Sequence, residues 1–213
     1  MLLSWFSKIF KQKAYSKPKV SNSQKIHQAL KFELEGNESF INLVEQNLDF
    51  LDEFSEIQKK EVMNVAIEAA ICGQRSQAIA GLIQKLKPDM EKKELQLISQ
   101  TCISKVQAAI TQVRAERLGL DWCIWQTCQD QRTRASHHAM QGVAFQYSRK
   151  PEPEKIIGLL SIGCYGPGEA LGCRCYAAPI VDADFEKYPL RVLINGKIET
   201  MGKRKFKKLV GNL

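Results

Sequence analysis

The apolar period of the chain changes at Gly119, and this change limits the possible folds more than any other feature. Upstream, in KKELQLISQTCISKVQAAITQVRAERLG, apolar side chains recur at Leu95, Ile98, Cys102, Val106, Ala109, Ile110, Val113 and Leu118. That spacing of ~3.6 residues is the stripe of one long helix, and Gly119 supplies its stop. Two earlier stripes, through Val62, Val65, Ala66 and Ala69 to Gly73 and through Ile79, Leu82, Ile83 and Leu86 to Pro88, predict further helices with core-facing sides. Downstream, LDWCIWQT crowds aromatic and β-branched residues into a short run, as a buried strand does. Further candidate strands lie at 143–147 and 175–181, and Asn195-Gly196 between two β-rich runs signals a hairpin. The expected fold is α+β, with a helical N-terminal half followed by a small strand-and-loop C-terminal module. The expected divisions are a basic amphipathic arm and linker at 1–24, a helical region at 25–119, the strand-and-loop module at 120–182, and a hairpin with a basic tail at 183–213.

Charge is concentrated at the two ends. The chain of 213 residues has a net charge of +8, yet residues 1–31 hold seven lysines and no acid, and residues 197–213 hold six bases against Glu199. The stretch between them is net acidic, so the termini are the parts suited to phosphates or an acidic protein surface. Lys8, Lys11, Lys13, Lys203, Arg204, Lys205, Lys207 and Lys208 are the candidate contacts to DNA or a partner, and solvated lysines that aid solubility are the plainer reading. In MLLSWFSKIFKQK, Trp5, Phe6, Ile9 and Phe10 form one apolar face at helical spacing, suited to a groove on a partner or to a membrane surface. The start has neither the continuous apolar run nor the cleavage site of a secretory peptide, and no stretch is long and apolar enough for a transmembrane helix.

The densest polar cluster, DQRTRASHH, follows the apolar strand directly. Asp130 between Arg132 and Arg134 predicts a structural carboxylate–guanidinium clamp. Seven cysteines in irregular spacing suit reduced thiols in a cytosol-like compartment. Cys173 and Cys175, one residue apart, are poorly placed for a disulfide with each other but well placed to share a tetrahedral metal. Zinc would need two more donors from among His137, Cys128, Asp130 and Cys164. Packed, unligated thiols are the other reading. A nuclease centred on His137 with Arg132 or Arg134 is chemically conceivable. GPGEALG is not a phosphate loop, since it lacks the Gly-Lys-Ser/Thr that such loops need.

The order of these pieces resembles the phage Mu F-like head morphogenesis (minor capsid) proteins. The resemblance rests on Arg114 and Leu118-Gly119 at a helix end, Trp125 in a strand, then Asp130, Arg132, Arg134, His137 and Gly142, followed by Pro167-Gly168 and Cys173-Arg174-Cys175. It spans about 60–182. An apolar GLLSIG run stands where that family's pattern leads one to expect a polar, proline-containing loop. The resemblance implies a non-enzymatic minor head protein of the virion, assembled in the bacterial host cytoplasm and placed near the portal vertex or in the head interior. It implies portal protein, major capsid protein and packaged double-stranded DNA as partners, a role in DNA packaging or ejection, and no small-molecule substrate. A nucleic-acid-cleaving enzyme centred on His137 and a standalone DNA-binding module are the alternatives.

Overall fold

The computed structural model describes residues 21–74 and 76–211. The apolar face of Trp5, Phe6, Ile9 and Phe10, and the contacts expected of Lys8, Lys11 and Lys13, lie outside the described residues. Ser21 already caps the first helix, α1 (Asn22–Leu34), through a capping box with Gln24. The helical region therefore opens inside the stretch read as linker.

Four more helices complete the N-terminal half: α2 (Glu38–Asn47), α3 (Glu56–Ile71), α4 (Gln77–Leu86) and α5 (Lys92–Arg117). Asn37 caps α2, and a second capping box, Ser55 with Gln58, starts α3. The 26 residues of α5 form a spine against which α2, α3 and α4 pack. The stripes predicted from the sequence meet in one core of Phe40, Val44, Val62, Ala66, Ile79, Ile83, Cys102, Val106 and Ala109, all essentially without solvent exposure. Gly119 ends the spine at φ 74°, where an L side chain would be strained, while the amide of Leu120 closes back onto the carbonyl of Ala115.

Past this turn the chain forms a five-stranded mixed sheet in the order β3-β1-β2-β4-β5. The central β1 (Trp122–Gln126) pairs antiparallel with β2 (Val143–Gln146) and with β3 (Tyr176–Pro179). Both faces of β1 are covered: Cys123 and Trp125 enter one apolar cluster, Trp122 and Ile124 another. Covering both sides is what makes its sequence continuously apolar rather than alternating. The Asn195-Gly196 turn joins β4 (Leu190–Ile194) to β5 (Lys197–Met201) with positive φ at both residues, as a tight hairpin with the sheet's twist requires. Because β4 pairs in parallel with β2, the hairpin completes the module's own sheet instead of trailing behind it.

The basic end is likewise folded rather than a free tail. After two short helices, α6 (Ala135–Met140) and α7 (Pro153–Ile156), residues Lys203–Val210 form α8, which buries Phe206 edge-on against Trp122 at 5.5 Å between ring centroids. Lys203 and Lys207 both pair with Asp184, and Lys205 pairs with Glu199. Among the described residues Arg204 and Lys208 have no ion-pair partner, and no helix is long and apolar enough to cross a membrane.

Candidate metal centre

His137 lies on a short helix, α6 (Ala135–Met140), that follows the loop after β1. Its side chain is 2% exposed and sits edge-on to Trp125 at 5.3 Å between centroids. From there Nδ1 reaches Cys173 Sγ at 3.5 Å and Cys175 Sγ at 3.4 Å. The three ligand atoms all lie within 4.8 Å of one another, a buried group that could hold a metal.

The turn carrying both cysteines is positioned by α5. Gly168 adopts φ 91°, and a Cβ there would come within 3.2 Å of the Ser104 carbonyl on α5 and of the Cys175 carbonyl, so glycine is required for conformation and for close approach. Further along, the amide of Gly172 donates to Thr101 Oγ1 at 2.9 Å. The amides of Gly168 and Cys175 both point at Cys173 Sγ, at 3.3 and 3.4 Å. Backbone N–H groups aimed at one sulfur favour its anionic form. The hydrogen bond from Cys175, and then His137, draw the Cys173 thiol well below its ordinary value, whereas the bond to Cys173 and burial push Cys175 upward.

The far nitrogen of His137 has its own support. Nε2 lies 3.1 Å from the Tyr165 hydroxyl, which donates to Glu154 Oε1 at 2.6 Å, and Ser136 Oγ donates to the same oxygen at 3.1 Å. Since Tyr165 spends its only proton on Glu154, it must accept from His137. The ring is thereby assigned a proton on Nε2, and the lone pair on Nδ1 is directed at the two thiols. This is the outer support that metal-bound histidines commonly have. Tyr165 and Glu154 are both buried, and Glu154 Oε2 has no hydrogen-bond partner among the described residues.

The other predicted site residues are distributed differently. Asp130 is clamped, but by Arg174 and not by Arg132 or Arg134: the Arg174 guanidinium donates to Oδ2 at 2.7 Å and to Oδ1 at 2.6 Å. That fork holds the Asp130 carboxyl down to about 2. Arg132 contributes only its amide to Asp130, and Arg134 donates to the Leu171 carbonyl at 2.6 Å. Local spacing favoured the nearer arginines, but a bidentate pair needs the fork face-on to the carboxylate, and Arg174 arrives from across the site in that orientation. Cys128 is outside the His137–Cys173–Cys175 group; its Sγ lies 3.2 Å from the Arg174 carbonyl on an exposed loop. Cys164 is also exposed and outside the group, and Asp130 is committed to Arg174.

Sequence reasoning missed Glu154, Tyr165, the clamping role of Arg174, and the half-buried pair of Lys150 with Glu169 at 2.6 Å, whose carboxylate also accepts from the amide of Gly166 at 2.8 Å. None of these side-chain pairs carries a spacing signal, because Glu154 and Tyr165, Lys150 and Glu169, and Arg174 and Asp130 lie 11 to 44 positions apart along the chain. A cavity of about 190 Å³ opens onto the cluster, and Cys128, Arg132, Arg134 and Arg174 contribute to its wall.

A family model described as "Phage Mu protein F like protein" matches residues 60–178. An uncharacterized protein of Haemophilus influenzae is 30% identical over 122 residues, which make up 57% of this chain and 25% of that protein. The matched part thus spans about a quarter of the relative's length. No solved structure matches the chain.

Proposed function

Because the chain belongs to the phage Mu protein F-like family, we propose that it is a non-enzymatic head protein acting in phage head morphogenesis. In this reading it joins the virion at the portal vertex or in the head interior, after assembly in the bacterial cytoplasm. Its partners are the portal and major capsid proteins, and it touches packaged DNA during packaging or ejection.

The observation that carries the reading is how the matched segment is built. Residues 60–178 run from within α3 into β3, and the Cys-Arg-Cys turn inside that segment is hydrogen-bonded to α5 on one side and to the Asp130 loop on the other. Helices and sheet are thereby joined as one adaptor body, which suits a part that links larger assemblies. Zinc is the metal that two thiolates and an imidazole favour, and here it would serve as a folding brace. The basic outer side of α8, where Arg204 and Lys208 have no ion-pair partner among the described residues, supports salt-sensitive contact with phosphates.

The geometry does not favour a nuclease. Both His137 nitrogens are engaged, one by Tyr165 and one by the thiols, so neither is free to take a proton from an attacking water.

The test is to produce the full chain together with the portal and major capsid proteins of its own phage and to separate the products by sedimentation. Comigration with heads and crosslinking to portal are the expected results. A chain that stays at the top of the gradient and captures neither protein overturns the proposal, as does DNA or RNA cleavage that disappears in His137→Ala.

A further inference from the structure

We propose that Cys128 is the fourth ligand of the metal centre, closing it as a three-cysteine, one-histidine site. This rests on the reading of His137, Cys173 and Cys175 as metal ligands. Three donors leave one tetrahedral position open, and structural zinc sites fill that position with a side chain.

Several observations converge on Cys128. Its Sγ is 3.2 Å from the carbonyl of Arg174, the residue between the two ligand cysteines. It shares the wall of the cavity of about 190 Å³ with all three ligands. Beyond those three, it is the one thiol, imidazole or carboxylate among the side chains described as lining that cavity. Asp130 is held through both oxygens by Arg174, and Cys164 is not part of the wall.

The loop also presents Cys128 at the cavity. Gln141 Oε1 accepts from both the amide and the hydroxyl of Thr127, at 2.7 Å each, and Gln129 turns the chain at φ 51°. Cys128 Sγ stands outside the 4.8 Å group of the other three donors, and among the described residues its contact is one weak S–H···O bond to the Arg174 carbonyl, which metal binding would exchange for a metal–sulfur bond. On that exchange the thiol proton passes to solvent, as do those of the other cysteines, and sulfur donates its electron pair to the metal.

Charge favours the same outcome. Zinc with three thiolates and a neutral imidazole is a net anion, and Arg132 and Arg134 line the cavity, while the Arg174 guanidinium is already paired with Asp130. A site closed by water instead would be neutral and would have less use for these two cations.

The full chain, stripped of metal and reconstituted with zinc alone, is to be examined by zinc-edge X-ray absorption and by competition with a chromophoric chelator. One zinc per chain with three sulfurs and one nitrogen is expected. Cys128→Ser should show two sulfurs and bind zinc at least roughly tenfold more weakly, whereas Cys164→Ser should match the parent. Two sulfurs in the parent, with an oxygen or a buffer anion as fourth ligand, overturn the role of Cys128 and leave the three-residue site standing. A parent chain that takes up no zinc overturns both readings. The sulfur count comes from the unmutated protein, so the result does not depend on how well a variant folds.

Discussion

Arg174 grips Asp130 through two nitrogens, at 2.7 and 2.6 Å, while the cysteines on either side of it turn inward to His137. The turn thus makes its outer contact through Arg174 and its inner contacts through the two flanking cysteines. Arg174→Lys keeps the charge but loses the fork. The variant is expected to show faster amide hydrogen exchange across 127–134 and zinc binding weakened about tenfold, measured by exchange mass spectrometry and chelator competition. Unchanged exchange in that loop would show that the clamp does not hold it.

Tyr165→Phe removes the acceptor for His137 and the donor to Glu154 in a single atom. Leaving buried groups unpaired costs about 1–3 kcal/mol, which denaturant unfolding of the metal-free chain would read. Loss of the outer partner of a metal-bound histidine should weaken zinc binding by roughly 10–100-fold. A variant with parent-like affinity would mean that Trp125 packing alone orients the ring.

At Gly168, alanine would combine a left-handed backbone with a Cβ placed 3.2 Å from two carbonyl oxygens. Gly168→Ala should destabilise the chain by about 1–3 kcal/mol. Gly158→Ala has a similar positive φ of 79° but open space around the new atom, and it should cost less, about 1 kcal/mol. Thermal unfolding of the two variants side by side separates conformational strain from steric contact.

Phe206→Ala empties the apolar seat of α8 beside Trp122. A loss of about 3–5 kcal/mol is expected, typical of a fully buried phenylalanine. Release of α8 should also alter tryptophan fluorescence ahead of the main unfolding transition. A single transition with unchanged fluorescence would instead tie α8 to global folding.

Asp184 is predicted to give the fold an acid dependence. Lys207 and Lys203 hold its carboxyl below the usual carboxylate value, so the folded state favours the ionised form. The resulting stability is present above the unfolded value of about 3.9 and is lost as pH falls through the lower folded value. Asp184→Asn should therefore melt slightly below the parent near neutrality, with the difference closing as pH drops below about 4. Parallel melting curves over that range would show that the ion pairs are too well solvated to matter.

The elements that a chain segment can specify by itself were legible. The α5 stripe, the stop at Gly119, the β1 run and the Asn195-Gly196 turn each depend on neighbours within a few residues, and each is found where its pattern predicts. The candidate site was legible in part: His137, Cys173 and Cys175 meet, but the second residue of the clamp came from position 174 rather than from 132 or 134. Glu154, in a one-turn helix, and Tyr165, in a loop, gave no warning, because a polar residue there has the same local pattern whether it faces water or a buried partner.

Local order in this protein was therefore determined by the sequence alone, through helical and strand periodicity, glycine turns and the close spacing of two thiols. Tertiary structure decided which distant groups complete one another: β4 beside β2, Arg174 on Asp130, Tyr165 on His137, and α8 folded over Trp122. The physical reason is that backbone conformation is settled by neighbouring residues. The pairing of a buried donor, acceptor or charge depends on whatever the finished fold brings within about 3 Å of it.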